Sequence, residues 1–268
     1  MKRISMSKAS QDKTIEVALK DFVNSCKVRN LSAKTIEFYS YSMEKFKMYL
    51  ETLYTPEVKN ITSKTVEGFI LNLKASDSVN DTSINTYLRG LPGVVYHWQK
   101  LGYCQPFKIT LIKTDKAIKE TYTESELRLL LEKPDTKNFA EYRDWAIVNF
   151  LLATGVRVGE LVNLKVGDID LEEAVVKVKR GKSRRERHLP LSKTIIKILR
   201  EYLDFRRPES TDDILFCNAF GQKIAENSLL HSIGFYNKRR GVDKSSIHLF
   251  RHTFAKNWII NGGDVFRL

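Results

Sequence analysis

The sequence predicts a mainly α protein with one small antiparallel β-sheet, divided into two domains. Three observations lead there. Apolar residues recur at three- and four-residue spacing along most of the chain. One stretch, DIDLEEAVVKVKRGKSRRERHLPL, switches to alternation. And 268 residues are long for one compact domain and comfortable for two.

The first hundred residues carry four apolar stripes at helical spacing. They are Val17, Phe22 and Val23; Ile36, Tyr39, Met43, Phe46 and Leu50; Val66, Phe69, Ile70 and Leu73; and Ile84, Tyr87, Leu88, Leu91, Val95 and Trp98. Capping residues stand near their starts, such as Ser32 for the second and Thr82 or Ser83 for the fourth. A small four-helix bundle over residues 1–102 follows. Residues 103–120 lose that period and gain lysine, so an exposed linker is expected. At Thr123 the run TESE forms a capping box with Glu126 and opens a second domain, 121–268. Within it Val176 and Val178 alternate with Lys177 and Lys179, predicting a strand whose turn carries Arg180 to Arg185. Helices resume near Ser192, Ala225 and His248, and no internal repeat interrupts the pattern.

Charge points to a partner. Lys and Arg number 45 against 32 Asp and Glu, a formal balance of +13. Residues 1–115 hold 17 basic and 11 acidic groups, so the excess is shared as +6 and +7. A polyanion touching both domains is therefore expected, and nucleic acid fits better than a membrane surface because no long basic amphipathic helix is evident. Cys26, Cys104 and Cys217 are odd in number and widely spaced, which favours reduced thiols in a cytoplasmic, soluble protein over disulfides or a zinc knuckle. The basic start lacks the apolar stretch of a secretory signal.

Four basic groups sit where a side chain can be aimed. Arg157 follows Gly155, where one helix ends and another begins; Lys182 lies in the hairpin turn; His248 and Arg251 lie near a helix start. Glu160 is one turn beyond Arg157 and can hold its guanidinium. Two arginines, a lysine and a histidine without an acidic cluster suit the neutralisation of a phosphodiester under attack, with no metal or other cofactor required. One preorganised donor of this kind supplies about 3–4 kcal/mol of transition-state stabilisation. Lysine and histidine can also move a proton.

The segments ATGVRVGELVNLKVGDID, GKSRRERHLPL and HLFRHTFA stand in the order found in the tyrosine recombinases, or phage integrases, which this chain resembles. The first domain, with SAKTIEFY and SINTYLRGL, looks like the family's core-binding (SAM-like) domain, and the second like its catalytic domain. The resemblance implies site-specific DNA cutting and rejoining through a 3′-phosphotyrosine, by four protomers on two double-stranded DNA sites. It makes Arg157, Lys182, His248 and Arg251 catalytic, Lys182 as general acid, with Glu160 in support. Phe250 and Ser183 replace the family's usual Leu and Gly. The family's next motif and its tyrosine would fall beyond Leu268, so the expectation is an incomplete catalytic domain that binds DNA without cleaving it. Asp264 as a cap with Val265, Phe266 and Leu268 beyond it reads as the start of a helix too short to stand alone.

Other readings stay open. A non-catalytic regulator derived from an integrase would use the same clamp for affinity alone, and a type IB topoisomerase-like enzyme shares the chemistry. Lys34, Thr35, Tyr39, Asn85 and Arg89 of the first domain, and Arg180, Arg184 and Arg185 of the turn, are candidate DNA contacts. His248 and His252 have a zinc-compatible spacing, but His252 reads better as a packing residue. Ile233, Phe235 and Tyr236 read as core, which argues against Tyr236 as a nucleophile.

Overall fold

The computed structural model describes residues 13–54, 57–76, 79–115, 120–179 and 186–264. It divides into two compact units, Met1–Ala117 and Ile118–Leu268. None of its described helices is long and apolar enough to cross a membrane.

The first unit holds α1 (Ile15–Val28), α2 (Ala33–Thr52), α3 (Ser63–Ala75) and α4 (Asp81–Lys100). Ser32 caps α2 as its sequence suggests, its hydroxyl accepting the N–H of Thr35 at 3.2 Å. For α4 the cap is Asn80, one residue before the helix and not Thr82 or Ser83. Phe22, Met43, Phe46, Phe69, Leu88, Leu91 and Trp98 form the buried centre. Val17, by contrast, is exposed, and Ile15 and Ala18 face inward in its place. The helix α4 runs straight through Pro92. Packing outweighs the lost hydrogen bond there, because Gly90 lies against Ser42 and Gly93 against the Tyr39 ring, contacts a Cβ would prevent.

Residues 103–115 are irregular and largely exposed, as their composition suggests, yet they are held along α4. Asn85 clips Ile112 from both sides, donating to its carbonyl and accepting its N–H, each at 2.9 Å. Gln99 donates to the Phe107 carbonyl at 3.0 Å, and the Tyr96 hydroxyl accepts the Ile109 N–H at 3.1 Å. Phe107, Ile109 and Ile112 pack on the bundle, and Cys104 is buried. Side chains of α4 thus satisfy backbone groups that have no ladder of their own.

The second unit is organised around α6 (Phe139–Thr154). This helix is buried on nearly all sides, with Trp145, Ile147, Val148, Phe150 and Leu151 in the core and its buried charges, Arg143 and Asp144, paired at 2.7 Å. Packed against it are α5 (Glu124–Leu131), α8 (Lys193–Arg206), α9 (Glu226–Arg239) and α10 (His248–Ile260). Thr123 and Glu126 make the predicted capping box of α5, and Ser192 caps α8. A short α7 (Val158–Leu161) leads to a three-stranded antiparallel sheet of β1 (Ile169–Asp170), β2 (Val175–Lys179) and β3 (Glu186–Pro190), in that order. Val176 and Val178 are fully buried, while Lys177 and Lys179 point outward to Glu186 and Asp168. Opposite Val178 in the register stands Arg187.

Tyr236 is core, as its neighbours imply: it is fully buried, its hydroxyl donates to the Leu130 carbonyl at 2.7 Å, and burial pushes that hydroxyl's pKa far up. Phe235 is the exception in that trio and is 67% exposed, while Ile233 and Tyr236, three positions apart on α9, share its buried face.

Candidate active site

The site begins with a chain reversal. Gly155 ends α6 in the left-handed region, φ 59°, and its N–H returns to the Leu151 carbonyl at 2.9 Å. Two residues later Arg157 is the extended cap residue of α7. The Glu160 carboxylate accepts the Arg157 N–H at 3.0 Å and its guanidinium at 3.3 Å. The Arg157 side chain remains 55% exposed, so most of its fork faces solvent.

Glu160 has a second partner that the motif reading did not include. Arg187 on β3 grips it with both arms, Nη1 to Oε1 at 2.9 Å and Nη2 to Oε2 at 2.8 Å. Burial alone would raise the pKa of Glu160; the Arg187 fork, the Arg157 N–H and the two positive charges outweigh it and hold the carboxyl at about 2. A signal for Arg187 was present in the strand period. In ERHLPL it shares a face with Leu189, so a charge points inward and must meet a buried counter-ion.

The helix α10 closes the site from the other side. Arg251 donates through Nη1 to the Gly155 carbonyl, and the Phe254 ring, one turn on, covers the position where Gly155 lacks a side chain. Phe250 is buried against Tyr122, ring centroids 4.5 Å apart, and Thr253 accepts the Tyr122 N–H at 2.9 Å. These contacts fix the rotation of α10 and leave His248 exposed at its first turn. His248 borders an open cleft with His252, Lys244 and Ser245. Lys182, Arg180, Arg184 and Arg185 lie outside the described residues, though the strands that carry their turn are paired up to Lys179 and Glu186.

The candidate contacts of the first unit separate. Lys34 and Arg89 are exposed, on α2 and α4. Thr35 is part of the α2 cap, its hydroxyl 2.8 Å from that of Ser32. Tyr39 packs edge-on against Phe22 at 5.2 Å. Asn85 is corrected outright: it is buried and both ends of its amide are spent on Ile112, so it has no surface to offer DNA.

The Gly155–Glu160 turn thus carries an exposed arginine and a bidentately held carboxylate, with a second arginine docked on its first carbonyl. A family model described as the phage integrase family matches residues 120–267, more than half the chain. The chain belongs to the phage integrase family. Integrase-family relatives extend the match across both units. Tyrosine recombinase XerD of Proteus mirabilis is 30% identical over 260 residues, covering 93% of this chain and 82% of its own. XerD of Listeria innocua is 28% identical over 247 residues, covering 88% and 82%. Among solved structures, XerA recombinase shares 27% identity with a TM-score of 0.51, covering 94% of this integrase chain and 86% of its own. A lambda integrase dimer bound to a COC′ core site reaches a TM-score of 0.75 at 14% identity, covering 95% and 73%, a likeness of fold alone.

Proposed function

We propose that this chain is a site-specific DNA recombinase that works by phosphoryl transfer through a 3′-phosphotyrosine. The observation that carries the reading is the shared turn: Arg157 stands two residues from the carbonyl that Arg251 grips. In the proposed mechanism the two guanidinium groups and His248 bind the non-bridging oxygens of one phosphodiester. A tyrosine oxygen, its proton passed to water, attacks the phosphorus in line, the bond to the 5′ oxygen breaks, and Lys182 gives that oxygen its proton. Charge on the phosphoryl oxygens rises during attack, and donors already in place meet it without reorganisation. Glu160 keeps Arg157 in register. The partner is double-stranded DNA in the cytoplasm, with assembly as a homotetramer on two sites, and the exposed Lys34 and Arg89 contribute backbone contacts.

Within these 268 residues the last tyrosine is Tyr236, which is buried. With Tyr236 unavailable, the reading proposed for these 268 residues by themselves is binding of DNA without covalent linkage to it. The test is selection from a random duplex library, followed by incubation of the chosen duplex, in a form carrying 5′-phosphorothiolates, with the protein. Enrichment of a defined site without an SDS-stable protein–DNA adduct is expected. Failure to enrich any site would remove site specificity, and an adduct would remove the binding-only reading.

A further inference from the structure

Resting on the phosphate-clamp reading above, we infer that Arg187 is a positioning residue. It saturates Glu160, so that Glu160 orients Arg157 without capturing it. A carboxylate offers about four acceptor directions on its two oxygens. Here Oε1 accepts from Arg187 Nη1 and Arg157 Nη1, and Oε2 from Arg187 Nη2 and the Arg157 N–H. The two Arg187 bonds are the short ones, 2.9 and 2.8 Å, and Arg157's guanidinium keeps a single 3.3 Å bond.

This division of donors matters because a carboxylate and a phosphate compete for the same fork geometry. Glu160 is 8% exposed and charged, so without Arg187 its strongest remaining partner is Arg157. The Arg157 fork would swing onto it bidentately, and the guanidinium now facing solvent would be withdrawn. The local charge also changes. Arg157, Glu160 and Arg187 together leave one positive charge facing an incoming phosphate, and removing Arg187 leaves none. Arg187 further ties β3, of which it is the second residue, to the cap of α7.

The experiment measures binding of a fluorescent 30-bp duplex to the 268-residue protein as a function of salt, with thermal denaturation run on every variant. Arg157→Ala sets the reference, with a salt slope lower than wild type by about 0.9, the loss of one phosphate contact. Arg187→Met is expected to reproduce that loss although Arg157 is present. Arg187→Met with Glu160→Gln is expected to recover most of the slope, because an amide does not capture Arg157. Arg187→Lys, which keeps the charge but fills one direction instead of two, is expected to fall between wild type and Arg187→Met, and it is decisive if Arg187→Met does not fold.

An unchanged slope in Arg157→Ala would sink the phosphate clamp itself. A normal Arg157→Ala loss with an unchanged Arg187→Met slope would sink only the inference. So would absence of recovery in the double variant, which would make Arg187 a direct contact or a purely structural one. Arg187→Lys equal to wild type would exclude saturation by the fork.

Discussion

Arg251 reaches from α10 to the carbonyl of Gly155, the residue that ends α6 two positions before Arg157. The two guanidinium groups are therefore indexed to one turn of backbone, and their spacing does not depend on a flexible loop. Glycine at that turn is required twice, by its positive φ and by the Phe254 ring lying over it. Gly155→Ala is expected to destabilise the second unit by about 2–4 kcal/mol, the sum of a left-handed alanine and an overpacked contact. Urea denaturation of the 268-residue protein measures it, and a loss below about 1 kcal/mol would mean that the turn relaxes freely.

Arg251→Met should lower the salt slope of duplex binding by about 0.9, as the loss of one phosphate contact. It should also lower stability by about 1.5–3 kcal/mol, since a charged donor to the Gly155 carbonyl disappears. A variant that lost stability but kept the wild-type slope would show that Arg251 only braces the turn.

Acid should act on Glu160. Its folded pKa of about 2 lies below the ordinary carboxylate value, so its pairing contributes stability that is complete above about pH 4.5 and lost as pH falls toward 2. The contribution is about 2–3 kcal/mol. Denaturation midpoints followed from pH 6 to pH 2.5 in wild type and Glu160→Gln should converge at the acid end. Parallel curves would assign the acid sensitivity to other groups.

Tyr236→Phe removes a buried hydroxyl that donates to the Leu130 carbonyl at 2.7 Å. A cost of about 1–3 kcal/mol is expected, with DNA affinity unchanged. Loss of DNA binding in a folded Tyr236→Phe protein would overturn its assignment to the core.

Asn85→Ala should leave the salt slope intact while releasing residues 107–113 from α4. Hydrogen exchange at the Ile109 and Ile112 amides is the direct measure, because their acceptors are the Tyr96 hydroxyl and the Asn85 amide. Unchanged protection at Ile112 would mean that the apolar contacts of Phe107 and Ile112 suffice.

Local rules made much of this molecule legible. Ser32, Thr123 and Ser192 are caps whose partners lie three residues away, and the alternation of Val176 and Val178 requires only the period of a strand. Gly155, Arg157 and Glu160 were readable for the same reason, since all three belong to one turn and the helix after it. What escaped was long-range. Arg187 meets Glu160 across 27 residues, and Asn85 meets Ile112 across another 27, so neither pairing leaves a periodic trace. The lysines of 103–115 do face solvent, while Phe107, Ile109 and Ile112 beside them pack on the bundle. Asn85 shows the converse error: a polar residue on a basic domain reads as a ligand contact until its amide is found already engaged.

The clip between Asn85 and Ile112 also bears on how such chains can be recombined with one another by evolution or by hand. A hybrid that takes its helical half from one relative and its second half from another would be cut most naturally where helical period ends, near residue 102. That seam would leave Asn85, Tyr96 and Gln99 facing a foreign strip of backbone. Moved to follow Asp115, the seam carries the strip with the helix that holds it. The first unit would then move as a cassette whose border is set by hydrogen bonds.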